Sequence, residues 1–352
     1  MTNYRQYLLA AGIVSLISAP LPVLAQALDF KDKQVTMIVG SAPGGGTDAS
    51  ARLVAAFLGK HLPGQPTIVV KNMPGADGVT ALNFVVEQTK PDGMTVVVGA
   101  GPQVDPMTYR KANARYNPSD LQVIGGIGRG GSILLINKKS MKRLNDKSAP
   151  PVVMGSNPGM PRNAMQVALW GIEYLGWNAK WVVGYRGTND LMLALERGEV
   201  DMTASGNRFL IDKLVKDDKF GALLQTGDIT GGKTVRRPDF ADVPALAELV
   251  SGKVTDPIAK KAFIYWESIN AMDKWIGLAP GTPKPILDVY RKAFDAVMKD
   301  PEFAKKGKAI SENFEPMKAS EVETLIHNLA ITPQEALDYN RALMKKQGLA
   351  GG

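Results

Sequence analysis

The chain has 352 residues, of which 45% are hydrophobic and 22% are charged, and its formal net charge is +8. This composition is that of a globular protein with a sizeable core and gives no sign of disorder. Cysteine is absent, and only His61 and His327 supply imidazoles, which argues against disulfides, thiolate chemistry, a histidine-based triad and a metal site. We therefore expect no metal and no cofactor.

Residues 1–25 have the pattern of a secretory signal peptide. One early cation, Arg5, is followed by an apolar stretch that prolines interrupt and that ends in small residues. We expect cleavage after Ala25 or after Ala27, although an uncleaved anchor is the alternative reading. The stretch is too short and too interrupted for a stable membrane span. We expect an exported protein, which is periplasmic if the cell is Gram-negative.

Basic residues are scattered along the chain with acidic residues among most of them, which indicates solvated helix faces. The sequence has no zinc-finger or RNA-binding signature, so we expect no nucleic-acid partner. The mild positive charge would help to attract an anion.

The first third of the mature chain alternates strands and helices. Continuous apolar runs of strand length predict buried strands at 34–40, 67–72 and 94–100. Helical patterns lie between them, the first with an apolar face formed by Leu53, Val54, Phe57 and Leu58. This order predicts a parallel sheet with right-handed crossovers.

A second alternating block follows an extended apolar run within residues 128–140. The segments "PPVVMGS", "AKWVVGY" and "VDMTAS" are strand-like and are separated by helical patterns, and the chain ends in a mostly helical tail. Two such blocks predict two α/β lobes around a cleft. We place residues 28–128 and 269–352 in lobe 1 and residues 129–268 in lobe 2.

The first candidate site is the turn "SAPGGGTD", which lies between the first strand and its helix. Gly44, Gly45 and Gly46 would allow a ligand to approach the backbone, and Thr47 adds a hydroxyl. A helix start offers unpaired N–H groups and a partial positive charge, so a carboxylate or phosphate is the expected guest. Asp48 either caps the helix or binds a cationic group of the ligand.

Other interpretations of this turn stay open. A phosphate-binding loop needs Gly-Lys-Ser/Thr, which is missing here, and the dinucleotide fingerprint is matched only weakly. The glycines could also serve turn geometry alone.

Three further turns are candidates. The glycine turn around Ala76 lies on the same sheet edge if the sheet is parallel. In "MGSNPGMPRNA", Ser156 and Asn157 supply hydrogen-bond donors, and Arg162 could form a forked contact with a carboxylate. For the turn around Ala76, the alternative is a plain tight turn without a ligand. For the turn that contains Arg162, the alternative is that the arginine is exposed to solvent.

In "GYRGTND", the side chains of Tyr185, Arg186 and Thr188 could face the cleft. A simple helix N-cap at Thr188 or Asn189 is the alternative for this turn.

The stretch from Val35 to Gly99 resembles the opening of the tripartite tricarboxylate transporter receptors, also called Bug-type receptors. That family shows A-P-G-G-x-x-D after a strand, then an A-R-x-x-A helix, a V-x-N-x-P-G-A-x-G turn and P-D-G-Y-T. The matching positions are Ala42-Pro43-Gly44-Gly45, Asp48, Ala51-Arg52, Asn72, Pro74-Gly75-Ala76, Gly78 and Pro91-Asp92-Gly93. Later segments, "GYRGTNDLMLALERGEVDM", "FADVPALAEL" and "WIGLAPGTPKPILD", resemble further family motifs in the same order.

The resemblance implies a type II periplasmic-binding-protein fold, with two α/β lobes, each a mostly parallel sheet flanked by helices, closing on a solute. It also implies capture of small carboxylates for a membrane permease, without catalysis. In the family, a ligand carboxylate lies between the first glycine turn and the loop after a second-lobe strand. Carried over to this sequence, the resemblance places Gly45, Gly46, Thr47 and Asp48 on the first-lobe side of the ligand carboxylate. It places Ser156, Asn157, Arg162 and Asn163 on the second-lobe side.

We therefore predict an exported, monomeric receptor for a mono-, di- or tricarboxylate, aromatic acids included, that delivers its ligand to a tripartite tricarboxylate-type permease. One alternative is an enzyme on a doubly wound α/β fold that uses a nucleotide or phosphate ligand. The other is a receptor that reports its ligand to a signalling partner.

Overall fold

Two mixed β-sheets, each with helices on both faces, form the framework of the molecule. The computed structural model describes residues 29–44, 46–128, 130–156, 163–185, 188–205, 208–230, 233–310 and 314–349. The six strands of the first sheet are β1 (Gln34–Val39), β2 (Thr67–Asn72), β3 (Thr95–Ala100), β4 (Gln122–Gly128), β12 (Met272–Leu278) and β13 (Glu315–Lys318). The five strands of the second sheet are β5 (Ile133–Asn137), β6 (Val152–Ser156), β7 (Ala179–Val183), β8 (Met202–Ser205) and β9 (Phe220–Gln225). An antiparallel pair, β10 (Asp228–Thr230) and β11 (Lys233–Val235), lies outside both.

The helices alternate with these strands along most of the chain. In the first half they are α1 (Gly46–His61), α2 (Val79–Gln88), α3 (Gly101–Val104), α4 (Pro106–Tyr109), α5 (Lys138–Met141), α6 (Val167–Tyr174) and α7 (Thr188–Arg197). In the second half they are α8 (Arg208–Lys216), α9 (Leu246–Val250), α10 (Pro257–Ala271), α11 (Lys284–Lys299), α12 (Pro301–Ile310), α13 (Ala319–Ala330) and α14 (Gln334–Lys346).

The three strands predicted for the first third of the chain are present as β1, β2 and β3, with bounds within one residue of the prediction. β1 pairs in parallel with both others, as predicted. The order of the whole sheet is β13-β4-β12-β3-β1-β2, and that of the second sheet is β7-β6-β8-β5-β9.

Most strands in each sheet run in one direction, but neither sheet is purely parallel. In the first sheet, β12 and β13 oppose the other four strands, and in the second sheet β5 opposes the other four. The chain enters the second sheet through β5 and returns to the first sheet through β12. Both strands therefore start at the edge of the sheet where their neighbours end. Their reversed direction follows from the chain path between the two lobes.

The core of the first lobe has one layer on each face of its sheet. On one face, α1, α11 and α12 cover a cluster that includes Val39, Val98, Ile276 and Phe294. On the other face, α2 and α13 cover a cluster that includes Trp275. Alternating side chains therefore divide between two buried faces, as expected for strands with near-continuous apolar runs.

The second lobe is built in the same way. α6, α9 and α10 pack on one face of its sheet around Trp170, while α7 and α8 pack on the other. The C-terminal helix α14, which we assigned to lobe 1 with the rest of residues 269–352, also contributes Leu343 and Met344 to the Trp170 cluster. Part of its apolar face is thus buried against the second lobe, while Leu337 packs in the first-lobe cluster around Trp275. The domain boundaries themselves stay predictions.

The chain crosses between the sheets twice. The first crossing runs from Gly128 at the end of β4 to Ile133 at the start of β5. On the return, α10 ends at Ala271 and β12 begins at the next residue, Met272. The carboxyl end of β4 thus points to the second lobe, and the ends of β1 and β3, which run in the same direction, face it as well.

Candidate functional site

A cavity of about 330 Å³ lies at the carboxyl ends of β1 and β3, on the edge of the first sheet that faces the second lobe. This volume is within the range of small-molecule sites, and the position is where open α/β sheets bind ligands. Its walls come from the end of β1, the start of α1, the turn before α2, and the end of β3 with α3. The lining residues are Gly40, Ser41, Thr47, Gly75, Asp77, Gly78, Val98, Ala100 and Gln103.

The turn before α2 has an unusual backbone. Four consecutive residues have positive φ angles: 139° at Gly75, 47° at Ala76, 55° at Asp77 and 91° at Gly78. Such angles are uncommon outside glycine and persist only where surrounding contacts impose them. A Cβ atom at Gly78 would lie 1.8 Å from Nε2 of Gln103, so only glycine fits there.

Gln103 fixes this turn to the end of β3. Its amide nitrogen donates a hydrogen bond to the carbonyl oxygen of Asp77, and its Oε1 accepts one from the backbone N–H of Ala100. The Gln103 side chain is 4% exposed and both of its polar atoms are engaged. Its role is therefore to hold the cavity wall. Asp77 brings a negative charge to the lining, but its side chain is exposed and screened by water.

Asp48 organises the glycine turn at the start of α1. Its Oδ2 accepts hydrogen bonds from the Gly44 N–H at 2.9 Å and from Nε of Arg52 at 3.0 Å. Its Oδ1 accepts one from Nδ2 of Asn72 at 2.9 Å, and the same amide group donates to the Ser41 carbonyl at 3.0 Å. These contacts, that of Arg52 foremost, lower the pKa of Asp48 to about 2.

This network uses both oxygens of the Asp48 carboxylate within the protein. The carboxylate is 3% exposed and both of its oxygens accept hydrogen bonds from protein, so it stabilises the turn. The Gly44 N–H donates to that carboxylate, and a ligand contact at Gly44 stays a prediction. The first-turn amides of α1 and the Thr47 hydroxyl are the donors left for a ligand.

Among the lining residues, Ser41 has a hydroxyl group that a hydrogen bond with the ligand would satisfy. Its Oγ is buried, and it makes no hydrogen bond with any group in the described residues. A buried hydroxyl without a partner costs about 1–3 kcal/mol. The Ser41 carbonyl oxygen accepts a hydrogen bond from Asn72, which holds the Ser41 backbone in place beside the cavity.

Ser156 and Tyr185, the predicted second-lobe residues whose side chains the structure describes, do not line this cavity. Ser156 is fully buried at the end of β6, and its hydroxyl donates to Sδ of Met165 at 3.3 Å. Its carbonyl oxygen accepts hydrogen bonds from the backbone N–H groups of Gly184 and Tyr185. The hydroxyl is thus directed into the lobe and away from the cleft. Tyr185 is half-buried, and burial raises its pKa.

The structure places the remaining predicted residues as follows. Gly46 begins α1 and is exposed, and Ala76 lies in the positive-φ turn, exposed beside the lining residues. The residues Gly45, Asn157, Arg162 and Arg186 lie outside the described residues, as do the side chains of Asn163 and Thr188.

Two further features bear on the chemistry of the site. In the described part of the chain, no cluster of three or more histidine, aspartate or glutamate side chains is arranged to hold a metal ion. In that same part, none of the helices has both the length and the apolar character needed to cross a bilayer.

The sequence model described as "Tripartite tricarboxylate transporter family receptor" matches residues 50–349. The chain belongs to this family. The resemblance found from the motifs is thereby confirmed, and members of the family are solute-binding receptors.

Known proteins agree with this assignment. A UPF0065 protein of Bordetella pertussis is 27% identical to the receptor over 293 residues, which cover 79% of this chain and 80% of that protein. A solved TctC solute-binding protein from Polaromonas superimposes with a TM-score of 0.64 at 18% identity, covering 89% of this chain and 98% of its own. A protein of R. palustris, solved with adipate, has a TM-score of 0.56 at 21% identity and covers 92% and 99%. These structures confirm the predicted two-lobed fold.

Sequence reasoning missed several lining residues of the receptor. Ser41 directly follows the first predicted strand and was within reach of that argument, because residues at strand ends line sites in parallel sheets. Asp77 and Gly78 belong to the second glycine turn, of which only Ala76 was named as a ligand-binding residue. Gln103 follows a strand in a segment without any motif, and no sequence signal marks it.

Proposed function

We propose that this receptor captures a small organic carboxylate at the lobe 1 cavity. The observation that carries the proposal is the buried Ser41 hydroxyl, which lines the cavity together with Thr47 of α1 and has no hydrogen-bond partner among the described residues. Helix N-terminal amides and hydroxyl groups donate hydrogen bonds to anionic oxygens, and the partial positive charge of the helix adds attraction. Asp48, the acid nearest to these donors in sequence, is paired with Arg52 and does not offer a free negative charge.

Three findings favour a carboxylate over a phosphate. The turn has no lysine of the kind that phosphate-binding loops use. The family is described as receptors of tricarboxylate transporters, and the R. palustris relative was solved with adipate. We infer a mono-, di- or tricarboxylate, aromatic acids included.

The second lobe would close over the ligand and complete its binding. Asn157, Arg162, Asn163, Arg186 and Thr188 are the residues proposed for that contact, with Arg162 forming a forked pair with a carboxylate. Tyr185 would contribute the edge of its ring. Closure of two lobes around a ligand is a hinge motion, and the closed form is the state that a partner can recognise.

We further propose that the receptor is a monomer exported to the periplasm by residues 1–25, and that it acts by binding, without catalysis. Its partner would be the permease of a tripartite tricarboxylate-type transporter. A receptor that reports to a signalling protein is the alternative, and binding of the purified permease subunits to the ligand-loaded form would separate the two.

A ligand screen tests the proposal. Mature protein is scanned by thermal shift against succinate, malate, adipate, citrate, benzoate and nicotinate, and hits are titrated by calorimetry. At least one acid should raise the melting temperature in a concentration-dependent way, since a ligand that binds only the folded state stabilises it. Stabilisation by nucleotides or sugars alone, with no response to any acid, would reject it.

Arg162→Ala tests the role of the second lobe. If Arg162 pairs with the ligand carboxylate, the affinity for the best acid should fall by about 1.5–3 kcal/mol, the scale of a charged hydrogen bond. Lys260→Ala, which removes a cation from the exposed side of α10, serves as the control. An unchanged affinity in Arg162→Ala would remove this residue from the site.

A further inference from the structure

A buried lysine stands one strand away from the carboxylate cavity. In the antiparallel pairing of β3 with β12, Lys274 lies directly opposite Ala100, and Ile276 lies opposite Val98. Directly opposed residues in such a pair project to the same face of the sheet. The Lys274 side chain therefore projects to the same face as that of Ala100, a cavity-lining residue about 5 Å away across the sheet.

The ammonium group is kept at the cleft end of its strand. Lys274 is 7% exposed, and its Nζ lies 2.8 Å from Oδ1 of Asp273 and 3.3 Å from the Asp273 carbonyl oxygen. The register of β12 against β4 shifts between Met272 and Lys274, which is a β-bulge at Asp273. Bulges re-aim side chains and are common beside active sites.

A buried lysine in the middle of a sheet is rarely found unless a partner compensates its desolvation. Ion pairing with Asp273 provides that compensation at the end of β12, next to the strand whose end lines the cavity. Asp273 itself is only partly buried, so water reaches one side of the pair. Attraction between charges is stronger there than in bulk water, because the surrounding protein screens less.

We propose that Lys274 is a specificity-determining residue that gives the receptor a preference for ligands with a second carboxylate. This inference rests on the proposed function, in which the α1 start holds the first carboxylate. A lysine side chain is long enough to bring its ammonium near the far end of a ligand of four to six carbons. A monocarboxylate of the same length presents a methyl group at that end and gains nothing from the ammonium.

Calorimetric titration with two matched pairs tests the idea: succinate with butyrate, and adipate with hexanoate. The wild-type protein should bind the dicarboxylate of at least one pair more tightly. Lys274→Met keeps the length of the side chain and removes its charge, and it should weaken that dicarboxylate about tenfold or more while changing its monocarboxylate less than twofold. Lys274→Arg should keep most of the preference. Lys284→Met, at an exposed lysine of α11, should change neither.

The outcomes separate this inference from the proposed function. If wild-type protein binds carboxylates but Lys274→Met weakens both members of a pair equally, Lys274 has a structural role and the receptor function stands. If wild-type protein binds no carboxylate in the full screen, both ideas fall together. Should Lys274→Met not fold, Lys274→Gln gives a second readout, because it also removes the charge but keeps a polar side chain. It should lose the preference for the dicarboxylate, and a preference equal to that of wild-type protein would overturn the proposal.

Discussion

The two sheet edges that face each other across the cleft come from similar strand–helix units, yet their chemistry differs. At the first edge, hydrogen bonds of Asp48, Asn72 and Gln103 fix two glycine turns, while the Ser41 hydroxyl has no hydrogen-bond partner among the described residues. At the second edge, the hydroxyl of Ser156 is turned inward to Met165. Topology therefore sets where a site can form, while side-chain direction decides which side is prepared for it. We expect the ligand to bind the first lobe before the second.

Gly78→Ala should have the largest effect on this prepared edge. The new methyl group would meet Gln103 at 1.8 Å on a backbone with φ of 91°, so we expect a loss of stability of about 3 kcal/mol and no measurable carboxylate binding. Gly176→Ala is the matched control, because Gly176 also has a positive φ but no atom within 4 Å of the added Cβ. Urea unfolding should show a loss of only about 1–2 kcal/mol there. Equal losses in both variants would contradict the packing explanation.

Asp48→Asn should disturb the same edge to a smaller extent. The folded-state pKa of Asp48 is lowered from 3.8 to about 2, so its contribution is present above about pH 4 and is lost as the pH falls toward 2. We expect about 1–2 kcal/mol at pH 7, less than the full shift implies because Arg52 is 53% exposed and water screens the pair.

Unfolding curves between pH 2 and 7 check the sign of this effect. The difference in stability between wild-type protein and Asp48→Asn should shrink toward pH 2. Asp288→Asn, which breaks an exposed ion pair with Lys284, is the control and should cost less at neutral pH. A difference that stays constant over the whole range would show that the Asp48 charge has no part in stability.

Ser41→Ala should affect binding and stability in opposite directions. Removal of an unsatisfied buried hydroxyl should leave the free protein as stable as before, or more stable by up to about 1 kcal/mol. Affinity for the best carboxylate should fall about tenfold, because a hydrogen bond to a charged oxygen is lost. Calorimetry and thermal unfolding measure the two quantities. A fall in stability with unchanged affinity would mean that Ser41 serves the fold and not the ligand.

Ser156→Ala should have the smallest effect and is the counterpart in the second lobe. Its hydroxyl donates to a thioether sulfur, which is a weak acceptor, so stability should change by less than about 1 kcal/mol. Affinity for the carboxylate should change less than twofold. A tenfold loss of affinity would instead support the ligand contact that the family resemblance implies for Ser156, and would require its side chain to turn toward the cleft in the bound form.

Much of the fold could be predicted from the sequence because its signals are local. Runs such as that of β3 are apolar throughout, and buried parallel strands show this pattern. The position of the first glycine turn at a strand end was equally visible. The reversed directions of β5 and β12 were not visible, because they depend on how the chain passes between two lobes.

The chemistry of the site was harder to predict for a physical reason. Asp48 could be read as a ligand contact until its two oxygens were seen to accept hydrogen bonds from Gly44, Arg52 and Asn72, and Asn72 is 24 positions away in the sequence. Ser41 became a candidate only through the absence of any hydrogen bond to its hydroxyl among the described residues. Both facts depend on tertiary contacts that no local pattern encodes.

The direct continuation of α10 into β12 restricts how the two lobes can move. With no linker between Ala271 and Met272, this connection resists bending, whereas the other crossing contains Gly128, Gly130 and Gly131. We expect the lobes to move mainly by a twist about the junction of α10 with β12. The angle of that twist would then depend on the size of the bound molecule, which gives any downstream protein a single geometric variable to measure.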